Sequence, residues 1–515
     1  MISEFKNTAY LDYSEPGNQQ AMQKALRDVE TQSSREYALF IDGKEVKTGT
    51  LKKSYNPCEK TQIVGAFHQA GVKEVDLAMA AALRAFESWK HVDPKERAIV
   101  ILKAAEIMRR RRHELSALMV LEAGKNWSEA DGDTAEAIDF LDFYGREMLR
   151  YSERQPVTPI VGEYNELVYI PLGVGVVIPP WNFPLAILTG MASAAIVTGN
   201  TVLLKPASDT PTIGYRLVEI FQEAGLPPGV LNYIPGSGSE IGDYLVGHPK
   251  TRFISFTGSK EVGLHINELA AKPQKGQIWI KRIVAEMGGK DAIIVDEDAD
   301  LAAAVEGVAL SAFGFQGQKC SACSRAIIHT KFYDEFAERL VERTRKITLG
   351  PVKDPANWMG AVINAAAQEK TMQYISIGKQ EGKLICGGEQ GPDSGYFIQP
   401  TIFRDIAANA RIACEEIFAP VLALVKAKDF SHAIDIANAS EYGLTGAVYT
   451  RDRDKIARAK RDFHCGNLYI NRKCTGALVG GNPFGGFNMS GTDSKAGGRD
   501  YLLLFLQAKS ISEKL

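Results

Sequence analysis

The sequence predicts an α/β protein with two doubly wound lobes of parallel β-sheet and a small β element outside them. From Val174 onward, short β-branched runs alternate with helical segments of about 10–15 residues, a pattern typical of parallel βαβ units. The alternation starts a second time near Asp291, which predicts a second lobe. Two further runs, ELVYIPL and QAKSISEKL, fit neither series and are expected to be exposed strands that another subunit covers.

The composition excludes several classes of protein. The 515 residues carry a formal net charge of −2, with 45% apolar and 24% charged side chains, so the chain is neither disordered nor fibrous. A near-neutral charge without a basic block argues against nucleic acid as a partner. An odd number of cysteines, seven, and the lack of a secretory signal pattern favour a reducing, cytoplasmic location.

Several helices and strands are predicted in the part of the chain that precedes the first lobe. Residues 1–35 are polar and predict an arm followed by a helix. Short strands are expected over Ala38–Val46 and around 54–64. Helices are expected over Val75–Ser88 and Trp127–Tyr151. Between Asp93-Pro94 and Gly124 the sequence predicts two helices that are separated by a basic turn. The uncharged stretch 167–204 is interrupted by prolines and asparagines, so it predicts strand, loop, helix and strand rather than a membrane span.

The strands of the two lobes are recognised by their β-branched runs. The first lobe contains GVGVVIP, TVLLKP, GVLNYIPG and RFISFTG, and the second contains AIIVD, RAIIHT, VLALVKA, GAVYT and GNLYIN. Helices are expected between successive strands, including one over 300–313. The lobes are predicted to divide near Glu286–Gly289.

Two glycine-containing turns are candidates for binding phosphate. Residues 236–242, GSGSEIG, follow a strand and open a helix, where backbone N–H groups favour anions, although a simple tight turn explains the same pattern. The FTGS run at 256–259 repeats the arrangement one unit later. There Ser259 is expected either to cap the helix or to contact a phosphate.

Three polar residues are candidates for catalysis. Cys320 has glycine and polar neighbours, which indicates an accessible thiol. Together with Cys323 it forms a C-x-x-C motif. Because no second motif completes a metal site, no metal is expected. Glu286 follows an apolar run and, if desolvated, acts as a base near neutral pH; the alternative is a carboxylate that accepts backbone N–H groups at a strand end. Asn182 is either an oxyanion donor or a turn residue bound to its own backbone.

Seven motifs occur in a fixed order along the chain, and together they indicate a protein family far more specifically than any one of them does. They are PWNFP (180–184), KPAS (205–208), FTGS (256–259), EMGGK (286–290), GQKCSA (317–322), EEIFAP (415–420) and NPFGGF (482–487). Over about residues 35–510 the chain resembles the aldehyde dehydrogenase superfamily. The resemblance implies that Cys320 is the nucleophile, that Asn182 and the Cys320 N–H hold the oxyanion, and that Glu286 activates the deacylating water.

The resemblance also implies an NAD site and a division into domains. The implied cofactor residues are Pro180, Trp181, Lys205, Ser208, Gly238, Gly258, Ser259, Glu416 and Phe418. The implied domains are a dinucleotide-binding domain (1–150 and 171–285), a catalytic domain (286–485) and an oligomerisation element (151–170 and 486–515) through which dimers form and assemble further. At Ser208 many NAD-specific relatives carry Glu, which repels a 2′-phosphate, so NADP is expected to be tolerated beside NAD.

The substrate end resembles one subfamily, the enzymes that oxidise L-glutamate γ-semialdehyde to glutamate at the end of proline degradation. The segments that carry this resemblance are 129–144, 320–325 and 473–486. The residues implied to bind the substrate are Glu136, Phe183, Ser321, Gly476, Ala477 and Phe484. Two alternatives remain: a dehydrogenase for another semialdehyde, such as succinate semialdehyde, and a non-catalytic relative that only binds a dinucleotide.

Overall fold

The computed structural model describes residues 4–515. Its helices are α1 (Pro16–Glu30), α2 (Val72–Trp89), α3 (Pro94–Arg110), α4 (Arg112–Ala123), α5 (Trp127–Ser152), α6 (Ala186–Val197), α7 (Pro211–Glu223), α8 (Asp243–Gly247), α9 (Lys260–Ala271), α10 (Leu301–Phe313), α11 (Tyr333–Thr344), α12 (Ala365–Glu381), α13 (Arg411–Cys414), α14 (Phe430–Asn438) and α15 (Arg453–Asp462). Its strands are β1 (Glu36–Tyr37), β2 (Leu39–Ile41), β3 (Lys44–Val46), β4 (Leu51–Asn56), β5 (Glu59–His68), β6 (Glu163–Pro171), β7 (Val174–Ile178), β8 (Thr201–Leu204), β9 (Leu231–Tyr233), β10 (Phe253–Thr257), β11 (Arg282–Glu286), β12 (Asp291–Val295), β13 (Cys323–His329), β14 (Lys383–Cys386), β15 (Thr401–Arg404), β16 (Val421–Ala427), β17 (Tyr442–Gly443), β18 (Thr445–Tyr449), β19 (Asn467–Ile470), β20 (Phe487–Asn488) and β21 (Leu506–Lys514).

The predicted α/β fold with two lobes is confirmed. One seven-stranded sheet has the order β11-β10-β7-β8-β9-β2-β3, and the second has the order β14-β15-β16-β13-β12-β18-β19. The strands predicted from Val174 onward form the parallel parts of these sheets, while the hairpin β2–β3 and the strand β14 add antiparallel edges. The central strands of each large sheet are buried on both faces, because helices cover both sides of the sheet.

Local signals fixed the helix ends as the sequence predicts. Asp93 caps α3 by accepting a hydrogen bond from the Lys95 N–H, and Asn126 caps α5 in the same way. Gly124 ends α4 with a left-handed φ of 68°, a conformation in which a Cβ is disfavoured. The long helix α5, which carries several carboxylates, is thereby fixed beside the first sheet.

The strands β6 and β21 form a two-stranded antiparallel ribbon that belongs to neither large sheet. The ribbon pairs residues Glu163–Pro171 with Leu506–Lys514. Apolar side chains such as Ile160 and Val161 are exposed just before it. Within residues 4–515, no helix is long and apolar enough to cross a membrane, and the uncharged stretch 167–204 consists of the end of β6, β7, α6 and β8.

The first sheet places most candidate residues at one edge. The chain runs from β7 outward through β8 and β9 and then returns to β10 and β11 on the other side of β7. In such sheets, ligands bind in the crevice at the carboxyl ends of the strands where the order reverses. Residues 179–184 follow β7, Lys205 follows β8, residues 258–259 follow β10, and Glu286 ends β11.

Candidate active site

The loop that carries Cys320 is held in an unusual backbone conformation. Residues 315–317 have φ values of 49°, 58° and 66°, a region that non-glycine residues rarely adopt. The buried Gln316 amide donates hydrogen bonds to the carbonyls of Gly124 (3.0 Å) and Ala361 (2.8 Å). These two bonds fix the turn that presents Cys320 at the amino end of β13.

Asn182 binds this loop rather than its own backbone. Its Nδ2 donates to the Gln318 carbonyl at 3.0 Å, and the side chain is buried. An amide nitrogen has two hydrogens, so one remains for an oxygen near Cys320. The geometry is therefore compatible with the predicted oxyanion role, which stays a prediction.

Glu286 lies at the end of β11 with its carboxyl group between strand and loop. The Ser494 hydroxyl donates to Oε1 at 2.5 Å, whereas Oε2 is buried without a hydrogen-bond partner in the structure. Burial raises the pKa of Glu286 to about 8, although the Ser494 bond opposes the shift. A carboxyl group with such a pKa exchanges a proton near neutral pH, as a general base requires.

The surroundings of Cys320 act on the pKa of its thiol. Burial, followed by the negative charges of Asp291 and Glu286, raises the pKa of Cys320 well above its usual value. These neighbours favour the protonated thiol, so Cys320 must lose its proton before the sulfur can attack. Cys323 is buried, and its thiol donates to the Arg325 carbonyl at 3.4 Å, which fits an inert core cysteine.

Glu416 reaches the backbone of the EMGGK motif. Its Oε1 accepts a hydrogen bond from the Gly289 N–H at 3.0 Å. A Cβ at Gly288 would lie 2.2 Å from the same carboxylate, so only glycine admits this approach. Nearby, the rings of Trp181 and Phe418 meet edge to face at 5.5 Å. Glu416 and Phe418 also line one small cavity together with Gly289.

The remaining predicted cofactor residues line the carboxyl edge of the first sheet. Lys205 is buried, and burial lowers its pKa to about 8. Ser259 caps α9 by accepting from the Val262 N–H at 3.3 Å, which confirms the capping alternative, while a phosphate contact stays a prediction. Gly258 donates its N–H to the Glu286 carbonyl at 3.1 Å, and its Cβ would clash with Phe256.

The segment around Gly238 leaves room for a ligand. A Cβ at Gly238 would meet no protein atom within 4 Å, so packing of the chain does not explain the glycine. A small cavity beside it is lined by Ser208, Gly236, Lys52 and Lys53. A cationic, glycine-walled crevice at the reversal point of the sheet fits a dinucleotide.

Four of the predicted substrate residues, Glu136, Ser321, Gly476 and Ala477, come from α5, the nucleophile loop and the segment after β19. The carbonyl of Ser321 accepts a hydrogen bond from the Cys474 thiol at 3.3 Å, which joins the nucleophile loop to the turn of Gly476 (φ 79°) and Ala477. Burial and then the Asp133 charge raise the pKa of Glu136 to about 8.

The two predicted aromatic residues have defined partners. Phe183 lies under the Lys125 ammonium group, whose Nζ is 3.9 Å from the ring centroid. Phe484 exchanges two backbone hydrogen bonds with Ala496, each 2.8 Å long. Both rings are only partly buried, so they retain surface that a ligand can contact.

The chain is similar to known proteins over nearly its whole length. The model of the aldehyde dehydrogenase family matches residues 44–511. The chain belongs to the aldehyde dehydrogenase family. It is 56% identical over 513 residues to proteins named 1-pyrroline-5-carboxylate dehydrogenase from Geobacillus thermodenitrificans and Bacillus subtilis, covering 100% of each chain. A Thermus 1-pyrroline-5-carboxylate dehydrogenase solved with bound NAD superposes with a TM-score of 0.99 at 49% identity and full coverage of both chains.

Several polar residues of this aldehyde dehydrogenase site were not found by sequence reasoning. Ser494 contacts Glu286, Gln316 fixes the nucleophile loop, and Lys125 forms a fully buried ion pair with Asp133 at 2.9 Å. A fourth, Lys319, lies next to the nucleophile and pairs with Glu129 at 2.8 Å. The only signal for these two residues in the sequence is their position: Lys319 lies inside the GQKCSA motif and Gln316 directly before it.

Proposed function

We propose that this aldehyde dehydrogenase oxidises L-glutamate γ-semialdehyde, the open form of 1-pyrroline-5-carboxylate, to L-glutamate with NAD, the last step of proline degradation. The observation that carries the proposal is the Cys474–Ser321 hydrogen bond, which brings the Gly476–Ala477 turn next to the nucleophile. Full-length similarity at 56% identity to enzymes of that name supports the same substrate.

The first step uses the thiol. The Cys320 thiol gives its proton to solvent water and its sulfur attacks the aldehyde carbon. A C–S bond forms, the C=O π bond opens, and the carbonyl oxygen becomes an oxyanion. In this proposal the second Nδ2 hydrogen of Asn182, the one not bonded to the Gln318 carbonyl, and the Cys320 N–H donate to that oxygen. Such preorganised donors stabilise the charge that develops in the transition state.

The second step converts the tetrahedral adduct into a thioester and then into an acid. The carbon gives up its hydride, and NAD supplies the hydride acceptor when bound. Glu286 takes a proton from water, whose oxygen attacks the thioester carbon, and the Cys320 sulfur leaves as product forms. A carboxyl group with a pKa of about 8 suits this proton transfer near neutral pH.

The substrate carboxylate is recognised without a dedicated arginine. Backbone N–H groups in a left-handed glycine turn form an anion-binding concavity. In this proposal Gly476, Ala477 and the Ser321 hydroxyl hold the α-carboxylate, Phe183 and Phe484 flank the aliphatic chain, and Glu136 faces the amine. Succinate semialdehyde, which lacks the amine, would use the carboxylate pocket alone.

The cofactor site is proposed to take NAD through Pro180, Trp181, Lys205, Gly238, Gly258, Ser259, Glu416 and Phe418. NADP is tolerated in this proposal because Ser208, unlike Glu, does not repel a 2′-phosphate. Lys52 and Lys53 line the same small cavity as Ser208 and add positive charge there.

The division of labour in the chain is part of the proposal. Residues 1–150 and 171–285 bind the dinucleotide, 286–485 carry the nucleophile, and 151–170 with 486–515 join subunits into a homo-oligomer built from dimers. The exposed apolar residues beside the β6–β21 ribbon support the last assignment. The seven cysteines are all free, which supports a reducing, cytoplasmic location.

The test measures NADH formation with L-glutamate γ-semialdehyde and with succinate semialdehyde, for wild type and Cys320→Ala. Cys386→Ala, which removes a half-buried thiol on β14, is the matched control. Turnover of the first aldehyde, abolished only by Cys320→Ala, is expected. Preference for succinate semialdehyde would overturn the substrate assignment, and dinucleotide binding without turnover of any aldehyde would indicate a non-catalytic relative.

A further inference from the structure

The N-terminal arm, residues 4–15, lies against the helix that carries Glu136. The Thr8 N–H donates to Asp139 at 2.7 Å, and the Leu11 N–H donates to Asp131 at 2.8 Å. The Phe5 ring meets Phe143 edge to face at 5.1 Å. The arm is therefore fixed to α5 by backbone hydrogen bonds to its carboxylates and by aromatic packing.

One side chain of the arm connects α5 to the proposed carboxylate-binding turn. The Asn7 Nδ2 donates to Asp139 Oδ2 and also to the Val479 carbonyl, each at 2.9 Å. The next residue, Gly480, has a φ of 76°, and a Cβ there would lie 3.1 Å from both Phe5 and Phe143. The end of the loop is thus enclosed by the arm and α5.

These contacts lie close to the groups that would recognise the substrate. Asp139 and Glu136 are three residues apart on α5, so they share one face of the helix. Val479 follows Ala477 by two residues, a span of at most about 7 Å of extended chain. The Asn7 amide therefore fixes the distance between the Glu136 side of the pocket and the Gly476–Ala477 turn.

We infer that Asn7 is a positioning residue that determines specificity for aldehydes with an α-carboxylate. The inference rests on the proposed function, because only an aldehyde that carries a carboxylate uses the turn. A glycine turn that is free to move must be ordered when the carboxylate binds, and the Asn7 bonds provide that order beforehand. An aldehyde without a carboxylate gains nothing from the ordered turn, although it reacts with the same Cys320.

The experiment compares steady-state kinetics of wild type, Asn7→Ala, Asn7→Gln and Asn18→Ala on L-glutamate γ-semialdehyde and on butanal. Asn18 is the control, because its amide makes only an exposed bond to the Asp12 carbonyl at 2.8 Å. Asn7→Ala is expected to raise KM for the semialdehyde about tenfold with kcat within twofold of wild type, and to leave kcat/KM for butanal unchanged. Asn7→Gln, which keeps the amide donors, should restore part of the lost affinity.

Several results would separate this inference from its alternatives. Equal losses on both aldehydes, or no change on either, would overturn the role of Asn7 in specificity while leaving the proposed function intact. A wild-type enzyme that oxidises butanal but not the semialdehyde would overturn the proposed function itself. Folding is checked by circular dichroism, and Asn7→Ser provides the same measurement should the alanine variant unfold.

Discussion

The hydrogen bond from Ser494 to Glu286 sets the pH at which the proposed base becomes active. The Ser494 hydroxyl donates to a carboxyl oxygen, so it favours the ionised form and lowers the pKa of Glu286 below the value that burial alone would produce. The variant Ser494→Ala removes that bond. This variant is therefore expected to raise the pKa of Glu286 above about 8. Because kcat is expected to increase with pH as Glu286 ionises, that increase should occur at higher pH in the variant.

The magnitude follows from the strength of the bond. A hydrogen bond to a charged group contributes about 1.5–3 kcal/mol, and one pKa unit corresponds to about 1.4 kcal/mol. Loss of the bond is therefore expected to raise the pKa of Glu286 by at least about one unit. Near neutral pH, kcat should fall about tenfold, while the plateau at high pH should be retained.

The assay is the pH dependence of kcat, combined with a rapid-mixing measurement of NADH. If hydrolysis of the thioester becomes limiting, Ser494→Ala should show a burst of NADH followed by a slower steady state. Ser376→Ala, on the exposed face of α12 where the hydroxyl bonds only to the Met372 carbonyl, is the matched control. An unshifted pH profile, or a plateau that is lost at every pH, would refute the role assigned to Ser494.

Three further predictions concern the cofactor, the loop and the base. Replacing both Lys52 and Lys53 by alanine should raise KM for NADP about tenfold and leave KM for NAD within twofold; equal changes would exclude a role at the 2′-phosphate. Gln316→Ala removes two buried hydrogen bonds at a strained turn and should lower the free energy of unfolding by about 1–3 kcal/mol, measured by urea denaturation, together with kcat. The pKa of Glu286 is raised on folding, so this group contributes stability at low pH that is lost as pH rises from about 4.5 to about 8. Glu286→Gln should therefore raise Tm at pH 8 more than at pH 5, and a constant difference in Tm would contradict the raised pKa.

The parts of the fold that could be predicted are those with a local signal. The alternation of β-branched runs and helices identified the strands of both lobes, and Gly124 and Asp93 marked helix ends through their own backbone chemistry. The two outlying strands were also recognised, since they fitted neither series of βαβ units. In the structure these two strands pair with each other along nine residues of each strand.

The parts that could not be predicted depend on contacts between distant segments. Ser494 is 208 positions from Glu286, and Gln316 is 192 positions from Gly124, so no spacing in the sequence relates them. Lys125 was equally hidden, because a lysine is rarely buried and its partners, Asp133 and the Phe183 ring, define its place only after folding. Motifs located the reacting groups, whereas the groups that orient them required the tertiary structure.

The charges around Cys320 determine in which step of the proposed reaction Glu286 acts as the base. Burial, followed by the charges of Asp291 and Glu286, raises the pKa of the Cys320 thiol, so a state in which Cys320 and Glu286 are both ionised is disfavoured. Attack on the aldehyde and loss of hydride convert the sulfur to a neutral thioester. A neutral thioester, unlike a thiolate, does not disfavour the ionised form of Glu286. Glu286 is thus a stronger candidate for the base of the second step than of the first, because its carboxylate is disfavoured beside a Cys320 thiolate and not beside the thioester.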